Sequence, residues 1–96
     1  MIDKQFIAEF FGTFFFLSVI LMSGMALPIG IGLIAALYLV APISGGHLNP
    51  AVSAMFYMNG GLDKDGLIRN VIAQLLGAYA AYKYYKYNSI NVAQTA

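Results

Sequence analysis

Two long apolar runs dominate the first half of the sequence and restrict what it can fold into. They cover about residues 6–22 and about residues 27–41, with a short break between them. A helix of about 20 apolar residues crosses a bilayer, so the first run is long enough for most of a crossing, with some tilt or thinning allowed, and the second is slightly short. Because 60% of the chain is hydrophobic and only 9% is charged, its composition is typical of a membrane protein. The first run carries Glu9 and has no clear cleavage site, so we expect it to be retained rather than removed as a signal peptide.

A third apolar run covers about residues 67–82. It contains Asn70 and Gln74, which lie four positions apart and therefore on one face of a helix. Since polar side chains are costly in lipid, we expect that face to contact protein. Residues 79–87 contain five tyrosines interleaved with two lysines, a pattern typical of an anchor at the membrane–water interface. We expect the polar tail, residues 88–96, to fray.

Polar, glycine-rich backbone interrupts the apolar sequence at residues 44–52, which read SGGHLNPAV. Asn49 is a preferred N-cap and Pro50 suits the first helical position. The helix that starts there can continue to Tyr57 or Met58, before the stop signal of residues 59–61. At about 1.5 Å per residue such a helix reaches only the middle of a membrane. We therefore expect residues 44–58 to form a re-entrant loop and half-helix.

The sequence predicts an all-α membrane protein with three transmembrane helices and one re-entrant half-helix, as a single domain over residues 1–96 with its termini on opposite sides. A half-helix that starts at membrane depth presents unpaired N–H groups and a partial positive charge, which are tolerated only inside protein or beside a water-filled cavity. Gly45 and Gly46 allow the loop to turn its carbonyls toward such a cavity. The glycines expected to let helices approach closely are Gly12, Gly30, Gly32 and Gly77.

Two titratable residues in this apolar chain each have two interpretations. His47 could be a metal ligand or a proton relay, but the chain has no second histidine and no acidic residue nearby in sequence. We therefore favour a structural histidine that braces the loop. Glu9 could carry protons through the membrane, since a carboxylate in a membrane-spanning helix is costly and often has a functional role. We favour the alternative, in which it accepts hydrogen bonds from unpaired N–H groups of the loop.

Several classes of function are disfavoured by composition. The absence of cysteine removes disulfide and thiolate chemistry. The net charge is only +1 and the basic residues are not clustered, so the sequence contains no basic patch of the kind that binds nucleic acid. Nothing in the sequence pairs a nucleophile with a base, so we expect neither an enzyme nor a cofactor.

Three stretches of this chain resemble the aquaporin and glycerol-channel family, the major intrinsic proteins. Residues 44–52 match the family's first Asn-Pro-Ala signature almost residue for residue. Residues 8–13, AEFFGT, are similar to its first helix, and residues 72–78, IAQLLGA, to its third. The resemblance implies half of an aquaporin-like bundle and a passive channel in a lipid bilayer.

The resemblance also assigns roles to the loop. It implies that Asn49 donates its side-chain amide to a permeating molecule at the channel centre. The residues whose carbonyls would guide that molecule in single file are Gly45, Gly46, His47 and Leu48. The residues that would support the loop are Glu9, Gln74, Pro50 and Ala51. Two half-helix N-termini meeting at the midplane would orient water oppositely and oppose passage of cations and protons.

Family members carry two inverted halves in one chain, whereas these 96 residues contain one. We therefore expect two copies to pair antiparallel about a twofold axis in the membrane plane, giving a homo-oligomer of dual topology and leaving open a larger ring of dimers. The basic residues direct orientation only weakly. They are Lys4, Lys64 and Arg69 on one side, and Lys83 and Lys86 on the other. The alternative is a non-conducting subunit that assembles with a full-length channel or another half-chain.

Selectivity is expected to differ from that of relatives with a filter arginine. The family's second half follows its signature with arginine, where this chain has Val52. Matching the other constriction positions gives Ile29 and Gly46. We expect apolar constrictions that pass water and small uncharged solutes such as glycerol, with weaker proton exclusion. Ile29 and Val52 could instead dewet the path and close it.

Overall fold

The structure, a computed structural model, describes residues 1–95, with side chains to residue 90. It consists of the helices α1 (Lys4–Ser23), α2 (Ala26–Ser44), α3 (Pro50–Met58) and α4 (Lys64–Thr95). No strand occurs within residues 1–95. The predicted all-α class is confirmed.

Helices α1 and α2 are long and apolar enough to cross a membrane. Asp3 caps α1 by accepting a hydrogen bond from the Phe6 N–H at 2.9 Å, and Gly24 ends the helix in the left-handed conformation. Only 33% of the most apolar stretch of α1 and 17% of that of α2 is buried within the chain. A core helix of a soluble protein would be mostly buried, so these apolar surfaces need lipid or another protein as their partner.

Helix α2 extends beyond the end that the sequence predicted. We expected it to stop at Ala41, before Pro42, but it continues through Pro42 to Ser44. Proline removes the backbone hydrogen bond to the carbonyl four residues earlier, and α2 continues for only two residues beyond it. At that end the Gly45 N–H bonds to the Ala41 carbonyl at 2.9 Å. Ser44 therefore belongs to α2 and not to the loop.

Helix α4 is also longer than predicted. We expected residues 67–82, whereas the helix has 32 residues and a length of about 48 Å. Its start is capped by Asp63, which accepts from the Gly66 N–H at 2.7 Å. The helix continues through residues 88–95, where we expected the tail to fray, and the Asn88 amide donates to the Tyr84 carbonyl at 2.9 Å. Ala96 lies outside the described residues.

Close approach of α1 to its neighbours depends on three glycines. A Cβ at Gly12 would lie 2.6 Å from the Leu48 side chain, and one at Gly32 would lie 3.1 Å from Val19. At Gly77 it would lie 2.7 Å from the Phe10 carbonyl oxygen, so α1 and α4 are in backbone contact. The prediction is confirmed at these positions. It is wrong for Gly30, which has no other group within 4 Å of a Cβ built there.

Helix α1 lies between α2 and α4, and its contacts show how these two helices run relative to it. Gly12 faces Val40 and Gly32 faces Val19, so α1 and α2 are antiparallel. Along α4, successive contacts to α1 advance in the same order as the sequence. They are Arg69 with Gln5, Gln74 with Glu9, and Tyr84 with Phe14. Helices α1 and α4 are therefore parallel, and the start of α1 and the end of α4 lie at opposite ends of the bundle.

Candidate functional site

The loop between α2 and α3 has an unusual backbone. Gly45 and Gly46 have φ of 91° and 68°, and Leu48 has φ of 58°. A positive φ is uncommon outside glycine. At Leu48 it is offset by burial, because the side chain is only 3% exposed and joins the α1–α2 core with Ala8. The loop is thus pulled into the bundle by a buried leucine.

Glu9 lies beneath this loop and is fully buried. Its Oε1 accepts from the Leu48 N–H and from the Gln74 amide, each at 2.8 Å. Its Oε2 accepts from the His47 N–H at 3.1 Å and from the Ser44 hydroxyl at 2.5 Å. Two carboxylate oxygens accept four bonds, which matches their acceptor capacity. Glu9 has the geometry of an acceptor for loop N–H groups.

A second polar group joins the loop to α3 and α4 through the Ser53 hydroxyl. Ser53 Oγ lies 3.0 Å from Gln74 Nε2, 3.3 Å from Asn70 Nδ2 and 2.9 Å from His47 Nδ1. Ser53, Asn70 and Gln74 are at most 1% exposed. The His47 ring also stacks on Phe56, with ring centroids 4.7 Å apart. His47 is therefore held on two sides, and no group of three potential metal-ligating side chains occurs in the described part of the chain.

Sequence reasoning missed two members of this polar group. It placed Ser44 in the loop with no partner and gave Ser53 no role. The available signal for Ser53 was its position, since it is the one hydroxyl near the start of an otherwise apolar α3. A hydroxyl in the first turn of such a helix points to a polar partner on a neighbouring element.

The side-chain amide of Asn49 lies exposed at the start of α3. Asn49 Oδ1 accepts from the Ala51 N–H at 2.8 Å, while Pro50 at the first helical position has no N–H to satisfy. The predicted helix start is confirmed. Asn49 is exposed, and its Nδ2 has no hydrogen-bond partner among the described residues. One amide donor is thus left available at the N-terminus of the half-helix.

The expected constriction residues do not come together within one chain. Gly46 packs against Leu37 near the C-terminal end of α2. Ile29 is in the first turn of the same helix, about 22 Å along the axis from Ser44. Ile29 and Val52 are both half-buried.

A separate cavity lies at the starts of α1 and α4, away from the loop. Its volume is about 430 Å³, and Asp3, Asp63, Asp65 and Arg69 contribute to its lining. The Phe6 N–H and, after it, the Arg69 guanidinium lower the pKa of the Asp3 carboxyl from its ordinary value of 3.8. This cavity has no contact with the loop residues.

Comparison with known proteins matches the chain over nearly its whole length. A family model described as Major intrinsic protein matches residues 1–95. Aquaporin Z of Brucella melitensis is 42% identical over 89 residues, covering 77% of this chain and 39% of that protein. Glycerol uptake facilitator protein-like 6 of Lactiplantibacillus plantarum is 36% identical over 87 residues, covering 81% of this chain and 40% of that protein.

A third relative is the propanediol uptake facilitator PduF of Salmonella typhimurium. It is 36% identical over 99 residues, covering 86% of this chain and 38% of that protein. The chain thus spans about two fifths of the length of these relatives. No solved structure matches it significantly.

Proposed function

Since this chain belongs to the major intrinsic protein family, we propose that two copies pair antiparallel and form a passive channel for water and small uncharged solutes. The family consists of helical membrane channels and not of enzymes. The relatives are named for water, glycerol and propanediol, all of them uncharged. No cofactor is needed for this activity.

The observation that carries the proposal is the braced half-helix with a free amide at its start. Ser53, in the first turn of α3, bonds to Gln74, which lies near the middle of the expected crossing at residues 67–82, about 10 Å along α4 from Leu67. We assign crossings to residues 6–22, 27–41 and 67–82, and a re-entrant segment to residues 45–58, after the end of α2. The N-terminus of α3 then lies near the midplane, where it needs a water-filled cavity.

A second copy would complete the pore. Asn49 is exposed in the single chain, and Ile29 is far along α2 from the loop. A twofold axis in the membrane plane would bring Ile29 of one copy toward Gly46 and Val52 of the partner subunit. It would also set the two Asn49 amides against each other at the pore centre, with loop carbonyls of residues 45–48 leading to them from either side.

Flux measurements test the channel. Purified protein in proteoliposomes is expected to accelerate osmotic shrinkage and glycerol entry in stopped flow, and an internal pH dye is expected to report a proton leak. In Val52→Arg the added charges are expected to lower that leak and to slow glycerol, because they narrow and charge both constrictions. Water flux no faster than in empty liposomes refutes the channel.

Topology and copy number test the pairing. A C-terminal tag should be accessible from both sides of intact cells, and cross-linking or native mass spectrometry should find an even number of copies, as a dimer or a ring of dimers. A single uniform orientation contradicts antiparallel pairing. Combined with co-purification of a different channel chain, that result would favour the alternative of a non-conducting subunit.

A further inference from the structure

The orientations of two buried amides follow from their charged neighbours. Gln74 lies 2.8 Å from Glu9 Oε1, an oxygen that also accepts from the Leu48 N–H, so the amide nitrogen of Gln74 must face it. Asn70 lies 3.2 Å from the Nε of Arg69, and a guanidinium has only donors. The amide oxygen of Asn70 must therefore face Arg69, which turns its nitrogen toward the loop.

These orientations decide where the Ser53 proton goes. A hydroxyl has one proton and two acceptor sites. Both acceptor sites of Ser53 are taken, by the Gln74 amide at 3.0 Å and the Asn70 amide at 3.3 Å. The remaining neighbour is His47 Nδ1, at 2.9 Å, so the hydroxyl donates to it. His47 Nδ1 also faces the Asn70 amide nitrogen at 3.2 Å. Two donors point at Nδ1, which must accept and cannot carry a proton of its own.

We propose that Asn70 and Ser53 are positioning residues that hold neutral His47 as the tautomer with its proton on Nε2. His47 is half-buried, and its Nε2 has no hydrogen-bond partner among the described residues. Nε2 lies next to Gly45: a Cβ built on Gly45 would be 3.5 Å from this nitrogen. Because Gly45 has no side chain, that side of Nε2 is not covered by one. The Nε2 N–H points away from Ser53 and Asn70 and lies close to Gly45, and, on the proposed function, it donates to the oxygen of a permeating water or polyol.

Nitrogen NMR of the wild-type protein tests the tautomer directly. His47 is the one histidine of the chain, so ¹⁵N-histidine labelling gives signals from this residue alone. The two ring nitrogens are then told apart by their couplings to the ring protons. At pH 8 we expect a protonated Nε2 and an unprotonated Nδ1, because the Ser53 hydroxyl and the Asn70 amide both donate toward Nδ1. A protonated Nδ1 in the wild type overturns the proposal.

Variants separate positioning from general support. In Asn70→Asp a carboxylate replaces the amide donor, so the proton is expected to move to Nδ1. The matched control is Asn88→Asp on the same helix, whose amide bonds only the Tyr84 carbonyl and lies outside the polar group. Ser53→Ala, a milder change, is expected to shift the tautomer populations, and Ser53→Thr is expected to restore them. An unchanged tautomer in both Asn70→Asp and Ser53→Ala refutes the positioning role.

Transport tests the outward donor separately. His47→Phe keeps a ring that can stack on Phe56 but has no N–H, and we expect glycerol flux to fall roughly fivefold, the effect of one hydrogen bond. His47→Gln, which retains a donor, is expected to lose less. Equal flux in wild type and His47→Phe refutes the donor role while the channel stands. Absence of flux in the wild type refutes the proposed function, and the NMR result is unaffected.

Discussion

Replacing Glu9 by glutamine tests whether its carboxylate holds the loop. Glutamine has the same shape but presents one NH₂ group in place of an oxygen. The NH₂ group fits best in the place of Oε2. There the Ser44 hydroxyl, which donates to Glu9 in the wild type, can instead accept a hydrogen bond from the NH₂ group. Only the His47 N–H then loses its acceptor. In the place of Oε1 it would face both the Leu48 N–H and the Gln74 amide. A buried donor without a partner costs about 1–3 kcal/mol, so we expect the His47 amide to open about 5- to 150-fold more often.

Amide hydrogen exchange of the protein in nanodiscs measures this opening residue by residue. In Glu9→Gln the His47 amide should exchange about 5- to 150-fold faster, while the Leu48 amide keeps most of its protection. The matched control is Thr13→Val, one turn along α1, because the buried Thr13 hydroxyl has no hydrogen-bond partner in the described structure. It should leave both amides unchanged. Unaltered His47 exchange in Glu9→Gln, or the same acceleration in Thr13→Val, would refute the reasoning.

Three further predictions concern helix packing and helix starts. Gly77→Ala should lower the free energy of unfolding by about 1–3 kcal/mol, because the new Cβ meets α1 backbone at 2.7 Å, whereas Gly30→Ala should raise it by about 0.5–1 kcal/mol. Thermal unfolding of both variants in the same detergent measures the difference, and a lower stability of Gly30→Ala would contradict this prediction. Because its folded pKa is lowered, the Asp3 cap contributes fully above pH 3.8 and is lost as the pH falls through the folded pKa. The protection of the Phe6 amide, its exchange rate relative to the intrinsic rate at the same pH, should therefore fall in acid, and Asp3→Asn should abolish that fall. Asn49→Asp should keep the α3 cap yet reduce solute flux, whereas Asn49→Ala should also lose about 1 kcal/mol of helix stability; full flux in Asn49→Asp would contradict the donor role of Asn49.

Local signals predicted the start of α3, whereas the ends of α2 and α4 differ from the prediction. The Asn49-Pro50 start is a matter of adjacent residues, and α3 begins there. Pro42 was expected to end α2, but the helix continues past it to Ser44, and Gly45 caps it there. The end of α4 also differs from the prediction. Polarity beyond residue 82 marks a change of surroundings and not a change of backbone.

The amino-acid sequence alone determined the apolar character, the order of helices and the loop with its helix start. These depend on residue type and on spacing over a few positions, which a linear pattern records. Only the tertiary structure decided which loop N–H groups Glu9 accepts from, that Ser53 joins His47 to Asn70 and Gln74, and that Gly77 rather than Gly30 admits a neighbouring helix. Such contacts join residues on different helices, so they depend on helix rotation and depth, which local spacing does not specify.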